Sequence, residues 1–168
     1  MRVMGFAGWS GAGKTTVLSR LIPNLIARGL RVSTIKHAHH RFEIDLPGKD
    51  SWRHREAGAS EVLVSSSRRV ALMRELRDQP EPSVEELLAM LSPVDLVLIE
   101  GFKSHPHPKI EIHRHGHDRP FLWPDDPSII AVATDIAISD ARPTVLHIDD
   151  IDAIAAVTIA GAVTISLG

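Results

Sequence analysis

Residues 8–15, Gly8-Trp9-Ser10-Gly11-Ala12-Gly13-Lys14-Thr15, fit the phosphate-loop pattern G-x-x-x-x-G-K-[ST]. No other stretch constrains the fold as tightly. A triphosphate needs many donors aimed at one point, and glycines let backbone N–H groups turn inward and approach it closely. Lys14 can then bridge the terminal phosphates, while the Thr15 hydroxyl ligates Mg²⁺. Arg2 to Ala7 reads as a short buried strand, and a helical pattern starts right after Gly13. This strand–loop–helix order aims a helix N-terminus at the phosphates. The nucleotide-contacting run is read as Gly8, Ser10, Gly11, Ala12, Gly13, Lys14, Thr15 and Thr16.

Beyond the loop, Val17, Leu18, Leu21, Ile22, Leu25 and Ile26 recur at helical spacing and Gly29 supplies a stop, so the first helix is predicted to reach about Arg28. Pro23 lies inside it and is predicted to kink or break it. Leu30 to Lys36 reads as a second strand, followed by a polar loop, His37 to Ser51, long enough to carry function. A helix near Ser51 to Ala57, strands at Glu61 to Ser65 and Val70 to Arg74, and a Pro-rich break at Gln79 to Pro82 come next. Ser83 and Glu86 form a capping-box pair before a short amphipathic helix. Val94 to Glu100 is an almost unbroken apolar run, as expected of a central parallel strand ending at a ligand crevice. Further strands are predicted at Ile110 to His113, Ile129 to Thr134 and Thr144 to Ile148, with Asp149 or Asp150 capping a last helix. Strands alternating with helices behind a phosphate loop predict a three-layer α/β P-loop NTPase fold with a mostly parallel central sheet. At 168 residues, 43% hydrophobic, the chain is read as a single nucleotide-binding domain over residues 1–168.

Lys and Arg total 19 against 21 Asp and Glu, a net charge of −2, so no basic surface predicts a nucleic-acid or anionic-membrane partner. With no cysteine, disulfides, thiolate zinc sites and a cysteine nucleophile are excluded. A strand starting near residue 2 leaves no room for a signal segment, which argues against secretion. The apolar tail, Ala153 to Leu167, is shorter than the ~20 residues of a membrane span and reads as a docked helix followed by a strand.

Chemistry is expected at the strand ends. Glu100 closes an apolar run, where a carboxylate can face the magnesium or the water attacking the γ-phosphate. Asp95 sits at the other end of that strand and reads as a strand-entry acid. In the long loop, Asp45 and Asp50 bracket Leu46-Pro47-Gly48-Lys49. Such a loop can bring a switch carboxylate to the metal, with Lys49 offering charge to a phosphate. His37 ends the second strand near the nucleotide crevice. The histidine groups His37-Ala38-His39-His40, His105-Pro106-His107 and His113-Arg114-His115-Gly116-His117 could bind Zn²⁺ or Ni²⁺, or serve as exposed loop residues. No N-K-x-D sequence is present to read guanine, and Thr134-Asp135, at a strand end, is the nearest candidate for base contact.

The Gly8 to Thr16 loop, Lys36-His37-Ala38-His39-His40, Phe42-Glu43-Ile44-Asp45-Leu46-Pro47-Gly48-Lys49-Asp50-Ser51, Ala57-Gly58-Ala59, Leu98-Ile99-Glu100-Gly101-Phe102-Lys103 and Lys109-Ile110-Glu111 together resemble the MobB family, the adapter proteins of molybdopterin-guanine dinucleotide biosynthesis. The phosphate loop is shared by many families; the Asp-x-Pro-Gly-Lys-Asp-Ser and Glu-Gly-Phe-Lys segments are specific. The resemblance covers most of residues 1–114. It implies a cytoplasmic, homodimeric, GTP- and Mg²⁺-binding protein with weak GTPase activity. Such a protein works beside the molybdenum cofactor guanylyltransferase that attaches GMP to molybdopterin, with molybdopterin as a further ligand. It also implies that Lys14 and Thr15 hold phosphate and Mg²⁺, that Asp45 and Glu100 serve the metal or water, and that Thr134-Asp135 lies near guanine. Two other readings compete: a metallochaperone GTPase delivering nickel or zinc, which the histidines favour and the missing Cys ligands disfavour, and a small-molecule kinase, which would need an Arg-rich lid.

Overall fold

A computed structural model describes residues 1–38, 42–116 and 118–166. His39, His40 and His117 of the histidine groups, and Leu167 of the tail, lie outside the described residues. In chain order the elements are β1 (Arg2–Ala7), α1 (Lys14–Ala27), β2 (Val32–Lys36), α2 (Asp50–Glu56), β3 (Glu61–Ser65), β4 (Val70–Arg74) and α3 (Val84–Ala89). They continue with β5 (Leu96–Glu100), β6 (Lys109–His113), β7 (Ile129–Thr134), β8 (Thr144–His147), α4 (Ile151–Gly161) and β9 (Val163–Thr164). The chain divides into two units, Met1–His37 with Val84–Gly168, and Ala38–Ser83.

The first unit is built on a sheet of order β2-β5-β1-β6-β7-β8, with every pair along that path parallel. One edge of β1 is taken by β5 from Arg2 to Phe6. The other is shared: β6 pairs at Gly5 to Ala7, and β9 pairs antiparallel at Arg2 and Val3. Alternation then feeds two cores. Met4, Phe6, Leu96, Leu98, Ile110 and Ile112 point to the face covered by α1 and α4, with Val17, Leu21, Leu25 and Ile154. Val3, Val97 and Ile99 point to the opposite face, against Val84 and Leu88 of α3. A central strand covered on both faces must be apolar at consecutive positions, which accounts for the unbroken run in β5. The layers are helix, sheet, helix, as the sequence predicts.

Helix α1 continues through Pro23, so the chain does not break there. Proline removes the donor that would reach the Ser19 carbonyl four residues back, but Ser19 and Pro23 both lie on the exposed face, where water satisfies the carbonyl. The strand predicted from Leu30 begins instead at Val32, because the Leu30 N–H folds back onto the Leu25 carbonyl (3.2 Å) as part of the helix end. At the other end of the chain Asp150 caps α4, its side chain accepting from the Ala153 N–H (2.9 Å). Among the described residues no helix is long and apolar enough to cross a membrane.

The second unit contains α2 and the antiparallel hairpin β3–β4, in register from Glu61 opposite Arg74 to Ser65 opposite Val70. Its polar centre is Arg55, largely covered, which donates to Glu43 (2.7 Å) and Glu75 (2.8 Å) and lies 3.5 Å from Asp45 Oδ2. Leu63, Val70 and Leu72 of the hairpin, with Phe42 and Ile44, are exposed.

Candidate functional site

The phosphate loop leaves β1 at Ala7 and enters α1 at Lys14. Two glycines make its path possible. Gly8 has φ +144°, and a Cβ there would lie 2.5 Å from the Ile112 carbonyl oxygen, a backbone atom of β6 that cannot yield. Gly13 has φ +95° and is the N-cap of α1. No side chain caps that helix and no acid occupies its first turn, so its leading N–H groups remain available to an anion.

Lys14 Nζ donates to the Gly8 and Trp9 carbonyls, each at 2.9 Å, folding back over the loop it belongs to. Burial holds its pKa below the ordinary lysine value, opposed by the charge of Glu100 and reinforced by Lys103 and Lys36. A half-buried ammonium, partly desolvated already, is stabilised by an arriving anion. The Thr15 hydroxyl donates to Glu100 Oε1 (3.4 Å), and Lys36 Nζ lies 3.6 Å from the same oxygen. Hydroxyl plus carboxylate is a hard-oxygen donor set of the kind Mg²⁺ takes. The glycine cradle, the uncapped helix and this pair fit a magnesium-bound polyphosphate.

His37 follows β2 and braces the end of β5: its N–H donates to the Glu100 carbonyl (2.8 Å) and its ring packs on Phe102 with centroids 4.6 Å apart. Ser10, Gly11, Ala12 and Thr16 all lie on the loop or first helical turn, Ala12 buried with its N–H closed onto the Trp9 carbonyl (3.2 Å). Thr134 and Asp135 sit at the end of β7. There Thr134 Oγ1 accepts from the Ile136 N–H (3.1 Å), and Asp135 Oδ1 accepts from the His115 N–H (2.6 Å). That backbone bond keeps the Asp135 carboxyl below the usual range. Asp45 and Lys49 belong to the second unit. The Asp45 carboxylate accepts from Ser51 Oγ (2.9 Å) and the Leu46 N–H (3.0 Å), and Lys49 is the N-cap of α2. Asp95, at the far end of β5 from Glu100, accepts from the Arg31 N–H (2.8 Å), which lowers its pKa together with the Arg31 side chain.

Four residues near the loop, Trp9, Lys103, Glu111 and Arg119, carry no role in the sequence reading. Trp9, inside the motif, lies under Lys103 Nζ at 4.3 Å and under the Arg119 guanidinium at 5.4 Å, and its indole N–H donates to the Pro120 carbonyl (2.8 Å). Lys103 ends the Glu-Gly-Phe-Lys segment, so the motif itself flagged it; burial lowers its pKa against the raising charge of Glu111. Glu111 is fully buried, accepting from the Leu122 (2.8 Å) and Trp123 (3.0 Å) N–H groups, and burial raises its pKa. Among the described residues no three His, Asp or Glu side chains converge as a metal site; His113 is buried and stacked on Phe121 at 4.0 Å.

Residues 3–135 match the family described as molybdopterin guanine dinucleotide synthesis protein B, MobB. The chain is 46% identical over 156 residues to a molybdopterin-guanine dinucleotide biosynthesis adapter protein of Haemophilus influenzae, covering 91% of this chain and 85% of that one. Against the adapter protein of the same name from Escherichia coli it is 43% identical, covering 91% and 89%. The crystal structure of a molybdopterin-guanine biosynthesis protein B superposes with a TM-score of 0.74 at 25% identity, over 94% of this chain and 98% of that one.

Proposed function

Because the chain belongs to the MobB family, we propose that it acts in molybdopterin-guanine dinucleotide biosynthesis as a GTP-binding adapter, working beside the guanylyltransferase that joins GMP to molybdopterin. The observation that carries the nucleotide part is the glycine cradle over an uncapped α1 N-terminus, with Lys14 turned onto it and Thr15 paired to Glu100. In this reading the loop N–H groups and Lys14 would hold the phosphates, and Thr15 and Glu100 would hold Mg²⁺, which would neutralise phosphate charge; a metal role for Asp45 and a phosphate role for Lys49 rest on the sequence alone. His37 keeps the end of β5, and with it Glu100, in place. Thr134 and Asp135 stand at the end of β7 as the base-proximal pair.

No glutamine orients a water near Thr15 and Glu100 among the residues placed there, which supports slow turnover suited to delivery. The exposed apolar residues of the β3–β4 hairpin, Leu63, Val70 and Leu72, support a homodimer formed through that face. The cysteine-free composition and the pathway support the cytoplasm as its compartment.

The test is hydrolysis of Mg²⁺–GTP by the purified protein, followed by addition of the guanylyltransferase. The adapter reading expects turnover below about 1 s⁻¹ and a rise in molybdopterin guanylation when the two are combined. Turnover of tens per second by the protein alone, or no effect on guanylation, would overturn it.

A further inference from the structure

We propose that Arg114 is the wall of the nucleoside end of the site, its guanidinium plane lying against one face of the bound base. The inference rests on the reading of residues 8–15 as a nucleotide site and goes beyond it by assigning the base a protein surface.

Strand order separates the two ends of a nucleotide. The oxygen ligands Thr15 and Glu100, with Lys36, fall on the β5 and β2 side of β1, so the metal-bearing phosphates are drawn there. The nucleoside must then leave the cradle on the other side, where β6 and β7 end. Arg114 is the first residue after β6. Its side chain runs across Gly13: a Cβ on that glycine would lie 3.0 Å from Arg114 Nε, 3.6 Å from Cδ and 3.8 Å from Cζ. Gly13 therefore both turns the loop and seats the arginine.

Arg114 is held differently from three other arginines of this unit. Arg20, Arg28 and Arg31 each lie on a carboxylate. Arg114 Nε is buried and has no hydrogen-bond partner among the described residues, and Asp135, which feels the charge of Arg114, accepts the His115 N–H at Oδ1. Seated against Gly13 with no hydrogen bond at Nε, the guanidinium puts a flat cation beside the phosphate loop. A guanidinium stacks on a purine as it does on an aromatic side chain, and a lysine ammonium does not. Stacking is indifferent to which base is present, so any selectivity for guanine must come from groups at its edge, with Asp135, at the end of the neighbouring strand β7, the candidate.

The experiment compares wild type, Arg114→Ala and Arg114→Lys by calorimetry against Mg²⁺–GTP, Mg²⁺–ATP and inorganic tripolyphosphate with Mg²⁺, with thermal melts to confirm folding. The proposal expects both variants to lose about tenfold or more in affinity for whichever nucleotides wild type binds, with tripolyphosphate affinity held within about twofold. If tripolyphosphate affinity falls in parallel, or lysine restores GTP binding, Arg114 is a phosphate cation and the proposal is wrong. Unchanged GTP affinity in a folded alanine variant rejects it as well. A different result, wild type binding neither GTP nor tripolyphosphate, would reject the nucleotide-site reading itself.

Discussion

Replacing Lys14 by alanine should cost the protein its nucleotide and leave its fold alone. The ammonium donates at 2.9 Å to two neutral carbonyls, those of Gly8 and Trp9, and a bound triphosphate exchanges these for anionic oxygens. Hydrogen bonds to charged groups contribute roughly 1.5–3 kcal/mol each against about 1 for neutral ones. The present bonds already carry the ammonium charge, so Lys14→Ala takes from the complex at least one charge-assisted contact to phosphate, roughly 1.5–3 kcal/mol, or about ten- to a hundredfold in Kd. Burial already lowers the Lys14 pKa in the free protein, so part of its dehydration precedes binding. Stability should hold, because α1 packs through Val17, Leu18, Leu21 and Leu25 and Lys14 touches only loop carbonyls; a change within ~0.5 kcal/mol is expected of such a site. Titration calorimetry with Mg²⁺–GTP, alongside thermal melts of both proteins, reads both quantities. Affinity retained within about twofold, ~0.4 kcal/mol, in a folded variant would refute the argument that the cradle is the phosphate site.

Two further substitutions separate position from chemistry. Asp45→Asn should weaken Mg²⁺-dependent GTP binding about tenfold, while Asp95→Asn, which removes an equal charge from the Arg31 end of β5, should leave it within twofold; equal binding by both variants would leave Asp45 as an anchor for Arg55 only. His107 supplies a pH dependence. It is buried with Nε2 unpartnered among the described residues, and burial, then the charge of Lys109, bring its pKa down to about 4, against about 6.5 in an unfolded chain. Between those values the unfolded state binds the extra proton, so stability is full above pH ~6.5 and falls as pH drops toward 4. His107→Asn should flatten that part of a Tm-against-pH curve even if its Tm is lower throughout, and parallel curves for the two proteins would rule the histidine out as the cause.

Local chemistry made much of the molecule readable in one dimension. The phosphate loop needs its glycines and lysine at fixed intervals because one turn of backbone builds the cradle. Glu100 was placed at a crevice because an apolar run buried on both faces must end where a parallel sheet meets solvent. Asp150 could be read as a cap because its partner, Ala153, is three residues away. In each case the signal lies within a short stretch of sequence.

Tertiary structure decided what depends on strand order. Gly13 meets Arg114 and Trp9 meets Pro120 only because β6 lies directly beside β1, a pairing across some hundred residues that no local pattern specifies. Opposite Ala7 of β1, Glu111 is buried and accepts from the Leu122 and Trp123 N–H groups. The same adjacency also lets β9 close the half of the β1 edge that β6 leaves open. The sequence by itself determined that a phosphate cradle would form and which strand end would face it. Which side chains border the cradle was settled by the sheet, since only the order of its strands brings distant loop ends together.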